Sequence, residues 1–203
     1  MSFNLFGCNL KVSFWFLAFI TGVIMIDGSN ELLLGVLAAI FHELGHIFAM
    51  ILNKDRPSEI KFGLFDIAII DSNRNNRNFS GDLFILFFGP ATNYILALVF
   101  YIMFKITYID IFILFSTQNF LLGVLNSLPI ESLDGGQILY IFLTRFVYEE
   151  RAQIVLELIS FLFLLPLACA GFYILLQSKY NFSLLLVSLY LIVLLFTKKN
   201  DFY

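Results

Sequence analysis

Two histidines and one glutamate have the most distinctive chemical spacing in the chain. They lie in the sequence FHELGH, as His42, Glu43 and His46, within an apolar run from Glu31 to Leu52. These are the only two histidines in the 203 residues. Residues four apart on a helix share a face, so both imidazoles could bind one zinc ion while Glu43 approaches a nearby water. The spacing predicts a hydrolytic metal site.

A third ligand has to come from elsewhere, because a catalytic zinc usually has three protein ligands and one open position. With no further histidine, a carboxylate must complete the set. Asp134 is favoured, because Pro129 and the glycine pair after Asp134 let the backbone approach another helix closely. A role as a helix N-cap is the structural alternative for Asp134, and it is compatible with ligation. Glu131 is the second choice, and the full set of candidates is Asp66, Asp71, Asp82, Glu131 and Asp134.

The elements that hold these residues are predicted to be membrane helices. The chain is 60% hydrophobic and 13% charged, with a mean hydropathy of +0.90, which exceeds ordinary soluble domains. A net charge of −3 with scattered basic residues argues against a nucleic-acid partner. Cys8 and Cys169 are too few for a disulfide framework. His42 is expected roughly 16 Å from Glu31, near the bilayer centre, where ionisable residues are functional by default.

A helix that crosses the membrane takes about 20 apolar residues, and this length divides the chain into six predicted spans. The predicted fold is an all-α polytopic membrane protein, with residues 1–203 as one domain and no separate soluble domain. With the N-terminus inside, only Lys105 and Lys179 of the twelve basic residues fall outside, which predicts cytoplasmic termini and an active site toward the cytoplasm. The six spans are residues 9–26, 31–52, 80–104, 108–128, 152–176 and 182–196.

Three stretches break the pattern of membrane helices. Residues 59–70 are rich in β-branched and aromatic residues around Gly63, which predicts a short hairpin or extended segment. Its backbone groups could be satisfied by protein or by a bound peptide strand. Residues 126–136 contain Pro129 and two glycines, which predicts irregular backbone lining a cavity. Residues 137–147 are too short to span and are expected to lie along the cytoplasmic interface.

Three motifs, taken together and in order, resemble the site-2 protease family of intramembrane zinc metalloproteases. They are FHELGH in the second span, FGPATN (88–93) in the third, and N-x-x-P-x-x-x-x-D-G-G (126–136) after the fourth. The resemblance covers residues 31–137. It implies that Zn²⁺ is bound by His42, His46 and Asp134, that Glu43 is the general base, and that Asn126 holds the substrate backbone or the oxyanion.

The six-span layout is most similar to the bacterial sporulation-type branch of that family. This implies a bacterial plasma membrane location, a lipid bilayer environment, and a substrate that is a membrane protein with a transmembrane helix. A regulatory membrane partner is compatible with the resemblance, and the oligomeric state is left open. Neither the CBS domain that this branch often carries nor the PDZ insert of other branches is expected. The resemblance also implies that residues 59–70 form a membrane-associated β segment that pairs with unwound substrate, here with Phe62-Gly63-Leu64 in place of Phe-Gly-Gly.

Two classes of non-enzymatic membrane protein compete with the protease. A divalent-metal carrier would have polar residues along a continuous path through its spans, whereas this chain concentrates them on one helix and one loop. A catalytically silent scaffold would usually have lost Glu43 or a metal ligand, and all are present. The sequence therefore favours an intramembrane zinc endopeptidase.

Overall fold

The structure is a computed structural model that describes residues 2–5, 8–14, 18, 21–22, 31–55, 59–62, 67–70, 78–178 and 187–193. The chain divides into two compact units, Met1–Val124 and Leu125–Tyr203. Each unit is described separately below.

Two long helices form the centre of the first unit. Helix α1 covers Glu31–Leu52 and helix α2 covers Phe79–Thr107. Helix α1 ends in a left-handed residue, Lys54 (φ 60°), where the Lys54 N–H donates to Ile51 and the Asp55 N–H donates to Met50. These two bonds satisfy carbonyls that would otherwise be left open at the helix end.

Helix α1 packs along α2, with small residues at the crossing. A Cβ on Gly45 of α1 would overlap the Thr92 hydroxyl and the Phe88 carbonyl of α2, so glycine permits this close approach. Buried apolar side chains pack on either side of the crossing, in one cluster of Ala49, Met50 and Ile85 and another of Leu34, Ala38 and Phe115. Phe115 belongs to helix α3, Asp110–Asn126, so three helices share this core.

A four-stranded sheet completes the first unit, in the order β1-β2-β3-β4. Its strands are β1 (Ser2–Leu5), β2 (Cys8–Val12), β3 (Glu59–Phe62) and β4 (Ile67–Ile70). Strand β2 runs antiparallel to β1 and parallel to β3, and β3 runs antiparallel to β4. Strands β3 and β4 lie in the segment predicted as a hairpin or extended stretch. Its association with the membrane remains a prediction.

Strand β2 corrects the predicted start of the first span, because residues 9–12 are extended and not helical. The sequence CNLKV alternates apolar with polar residues, a pattern typical of a strand, and the pairing with β3 satisfies its backbone. Helical residues follow at 14, 18, 21 and 22. The rest of residues 15–30 lies outside the described part of the chain.

The second unit is built on helix α4, Asp134–Leu143, and helix α5, Glu149–Ser178. A further helical segment covers 187–193. The core of the second unit consists of Ile130, Leu164 and Leu191. The predicted N-cap role of Asp134 is wrong, because Leu133 is the N-cap residue and Asp134 is the first residue of the helix. An acidic residue is favourable in that first turn, next to unpaired backbone N–H groups.

Among the described residues, three helices are long and apolar enough to cross a membrane, namely α1, α2 and α5. They match the predicted spans at 31–52, 80–104 and 152–176, and α1 has the predicted bounds. Helix α3 is apolar but has 17 residues, shorter than the span predicted at 108–128. Most of the sixth predicted span lies outside the described residues. Helix α4 begins three residues before the predicted interfacial segment, and its depth remains a prediction.

Candidate active site

The two histidines lie on the buried face of α1 and direct one nitrogen each toward the same point. His42 is 5% exposed and His46 is 8% exposed. Their Nε2 atoms are 3.2 Å apart, and the ring planes are nearly perpendicular at 87°. Tetrahedral zinc, with Zn–N distances of about 2.0–2.1 Å, separates two ligand nitrogens by about 3.3 Å. The spacing of the histidine pair therefore fits two corners of a zinc tetrahedron.

The opposite nitrogen of each imidazole is bonded to an oxygen on helix α2. His46 Nδ1 lies 2.8 Å from the Ile85 carbonyl oxygen, and His42 Nδ1 lies 2.6 Å from Asn93 Oδ1. A carbonyl oxygen can only accept, so His46 donates from Nδ1 and leaves the lone pair on Nε2. With the same arrangement at His42, two lone pairs face each other at 3.2 Å. A cation between them would remove their repulsion.

Glycine at position 89 makes space for both imidazoles under helix α2. A Cβ on Gly89 would overlap Nε2 and Cε1 of His46 and would lie 2.8 Å from Cε1 of His42. Pro90 follows inside the same helix and lacks a backbone N–H. Helix α2 thus presents a surface without a side chain to the nitrogen atoms that would bind metal.

Glu43 and Asn126 both lie at partly buried positions. Glu43 follows His42 on α1, and because a helix turns by about 100° per residue, Glu43 adjoins the histidine face without sharing it. Asn126 is the last residue of α3. The catalytic roles predicted for these two residues remain predictions.

In the second unit, Asp134 is a buried carboxylate at the start of α4, with 8% exposure. The glycines after it bring the helix close to the preceding loop. A Cβ on Gly135 would overlap the carbonyls of Ser127 and Leu128, and one on Gly136 would overlap the backbone of Ile130. By its chemistry, a buried carboxylate is a suitable metal ligand alongside two imidazoles.

The alternative ligand Glu131 has other partners within the second unit. Its Oε1 accepts a hydrogen bond of 2.8 Å from Gln153, and its backbone N–H donates to Ser160 Oγ at 2.9 Å. Burial raises the pKa of Tyr140 above its ordinary value, and the charges of Glu149 and Glu131 raise it further, so that the phenol stays protonated at neutral pH. The two hydrogen bonds of Glu131, to Gln153 and Ser160, fix the loop before α4 onto α5.

Of the remaining carboxylate candidates, only Asp82 lies in the described part of the chain. Asp82 lies in the first turn of α2 and is partly buried. Asp66 and Asp71 lie outside the described residues.

Comparison with solved structures identifies the fold. The chain is similar to the site-2 protease from Methanocaldococcus jannaschii, with a TM-score of 0.65 and 24% sequence identity, over 94% of this chain and 92% of that chain. This chain has the site-2 protease fold. The family resemblance seen in the motifs is thus confirmed at the level of the fold. No protein-family model matches the chain, and no curated protein matches it.

Sequence reasoning missed the partners that hold the histidines in the site-2 protease fold. The FGPATN motif contains Asn93 but gives it no role, and none of the three motifs contains Asn119, whose oxygen accepts from Asn93. The usable signal is an asparagine within an apolar segment, where a polar side chain is costly. In the structure both asparagines are fully buried. The Ile85 carbonyl had no signal at all, because every residue carries one.

Proposed function

We propose that the protein is an intramembrane zinc endopeptidase of the site-2 protease type. Its reaction is hydrolysis of a peptide bond within or near a transmembrane segment of a membrane protein. The observation that carries the proposal is the histidine pair, with Nε2 atoms 3.2 Å apart and both Nδ1 atoms bonded to oxygens on α2. The fold, the apolar helices and the pattern HExxH support the same conclusion.

The proposed ligands of the zinc ion are His42, His46 and Asp134. Two imidazoles and one carboxylate are a donor set found in catalytic zinc sites, and three ligands leave one position open. Asp134 is preferred to Glu131 because the Glu131 carboxylate accepts from Gln153 on α5. When bound, the ion supplies Lewis acidity that makes water nucleophilic near neutral pH and stabilises negative charge on a carbonyl oxygen.

Glu43 acts as the general base in this proposal. Its carboxylate accepts a proton from the attacking water as the new C–O bond forms at the peptide carbonyl carbon. It then donates that proton to the amide nitrogen as the C–N bond breaks, which yields a carboxylate and an amine. The Asn126 side chain is the proposed second donor to the developing oxyanion.

The substrate must lose helical structure before cleavage, because a transmembrane helix hides each peptide bond within its own hydrogen bonds. Strand addition to the sheet would offset that loss, since an edge strand offers unpaired backbone groups. In the order β1-β2-β3-β4, strand β4 is at an edge and lies in the segment 59–70. We propose that this segment holds the unwound substrate.

The proposed setting is a plasma membrane of a bacterium, with both termini and the active site toward the cytoplasm. The distribution of lysine and arginine supports this orientation. The natural partners are then a membrane protein substrate and the bilayer, with a regulatory membrane protein as a further candidate.

The proposal is tested by Glu43→Gln in the full chain. We expect cleavage of co-expressed membrane proteins to stop while zinc content stays the same, because the variant loses the base and keeps the ligands. Mass spectrometry of membrane fragments that accumulate with the wild type measures cleavage. Glu157→Gln, at a partly buried glutamate of α5, is the matched control and should cleave normally. Full activity of Glu43→Gln would contradict the proposed protease function. Zinc binding without cleavage by the wild type would favour a catalytically silent scaffold.

A further inference from the structure

Two buried asparagine side chains connect helix α3 to the first histidine. Asn93 Oδ1 lies 2.6 Å from His42 Nδ1, and Asn93 Nδ2 donates to Asn119 Oδ1 at 3.0 Å. Both asparagines have no exposed surface. These side chains form a hydrogen-bonded row from Asn119 on α3 through Asn93 on α2 to His42 on α1. Side-chain amides alone thus link one histidine to two other helices.

The direction of every hydrogen bond in this row is determined by backbone carbonyls at two points. Asn119 Nδ2 lies 2.9 Å from the Phe115 carbonyl on its own helix, and Asn93 Nδ2 lies 3.3 Å from the Ala38 carbonyl on α1. Carbonyl oxygens carry no proton, so each of these contacts requires the NH₂ group of its amide. The Asn119 oxygen therefore faces the Asn93 NH₂ group, and the Asn93 oxygen faces His42 Nδ1.

Reversing the amides would produce repulsive contacts at both points. If Asn93 were turned over, its oxygen would face the Ala38 carbonyl, and the matching turn of Asn119 would place its oxygen against the Phe115 carbonyl. Neither contact could hold a hydrogen, and no water competes at sites without exposed surface. The remaining arrangement has His42 donating from Nδ1, with its lone pair on Nε2.

We propose that Asn119 is a positioning residue that acts through Asn93 to hold His42 in the tautomer with hydrogen on Nδ1. The Nε2 lone pair is thereby directed at His46 Nε2 before any metal binds. His46 needs no such row, because a backbone carbonyl fixes its Nδ1 directly. The use of that lone pair for zinc rests on the proposed function, whereas the tautomer is a property of the metal-free protein.

The experiment follows the ring nitrogens of His42 by NMR. The full chain, labelled with ¹⁵N only at histidine and freed of metal in lipid nanodiscs, gives signals from two imidazoles, since the sequence has only two histidines. His42→Gln and His46→Gln variants assign them. For the wild type we expect a protonated Nδ1 at both residues, because each Nδ1 faces an oxygen.

Removal of the Asn119 amide should change one residue only. In Asn119→Ala the Asn93 amide loses its 3.0 Å bond to Asn119 and keeps only the longer 3.3 Å contact with the Ala38 carbonyl to oppose its turning. We therefore expect part of the His42 population to take the other tautomer while His46 stays as in the wild type. Asn119→Leu fills the same volume in an apolar helix and should give the same result if the alanine variant does not fold. Unchanged His42 signals in the folded variant would overturn the proposal.

Ser116→Ala is the matched control, three residues earlier on α3. It removes a buried hydrogen bond of similar length, 2.7 Å from Ser116 Oγ to the Ala97 carbonyl on α2, in which neither Asn93 nor His42 takes part. We expect no change of tautomer. An equal change in this control would show a general effect of helix packing and would overturn the specific role of Asn119.

Zinc affinity provides a second readout that does not depend on cleavage. Changes in residues that orient metal-binding histidines typically cost 10–100-fold in metal affinity. Since Asn119 acts through Asn93, we expect a loss of about tenfold, measured by competition with a chelator. If the tautomer changes as expected but the wild type neither binds zinc nor cleaves, the proposed function fails and the positioning role stands.

Discussion

The histidine pair and the aspartate segment show two ways of fixing a potential metal ligand. In the first unit, side-chain nitrogens are oriented by hydrogen bonds to oxygens on α2, and His42 is linked further to α3. In the second unit, Asp134 is fixed through its backbone, because two glycines let the start of α4 press against the preceding loop. Polar networks select an orientation, whereas close backbone packing selects a position.

This difference predicts that the aspartate segment is most sensitive to substitutions that disturb its backbone packing. In Gly136→Ala the new methyl group would overlap the Ile130 carbonyl, and backbone atoms cannot move aside as a flexible side chain can. We expect destabilisation of about 3 kcal/mol or more, seen as a lower midpoint of thermal unfolding. Gly35→Ala is the control, since among the described residues its methyl group meets Gln118 Oε1 alone, at an ordinary contact distance of 3.7 Å, and should be tolerated. Equal stability of the two variants would contradict the close packing.

The histidine pair should instead lose zinc affinity when its ligand nitrogens are displaced. In Gly89→Ala the methyl group would occupy the space next to His46 Nε2. We expect a loss of zinc affinity of about 10–100-fold, the size seen when ligand orientation is disturbed. Gly45→Ala is the comparison, since its methyl group would overlap Thr92 and the Phe88 carbonyl at the same helix crossing. Equal zinc loss in both variants would assign the effect to helix packing.

Two carboxylates in the second unit separate ligation from packing. Asp134→Ala should lower the zinc content of the purified protein, because the proposed third ligand is lost. Glu131→Gln should keep its zinc, since the new amide oxygen still accepts from Gln153. Elemental analysis of metal per chain measures both. Full zinc in Asp134→Ala would move the third ligand to another carboxylate.

The smallest effect is expected at the sheet, which lies outside both regions. Lys11 Nζ is 2.7 Å from Glu59 Oε1, and the lysine side chain is 53% exposed. The Glu59 side chain is 18% exposed. Because the pair is open to water at its lysine end, it should contribute about 1 kcal/mol or less, so Lys11→Ala should shift the unfolding midpoint only slightly and leave zinc content unchanged. A large loss of zinc in this variant would show that the sheet acts on the histidine pair.

The sequence by itself determined the features that depend on neighbouring residues. The bounds of α1, the shared face of His42 and His46, and the apolar lengths of α2 and α5 all follow from patterns within one segment. A catalytic zinc needs a third ligand, and because the chain has no third histidine that ligand has to be a carboxylate. Asp134 and Glu131 could be named from the irregular backbone around them.

The tertiary structure alone decided which groups hold these residues. Asn93 and Asn119 are 26 positions apart, and the oxygen that holds His46 is a backbone carbonyl with no sequence signature. Strand β2 pairs with β3, some fifty residues away, and this pairing turned the predicted start of a membrane helix into a strand. Local periodicity records which face of a segment is apolar, but not which distant segment will meet that face.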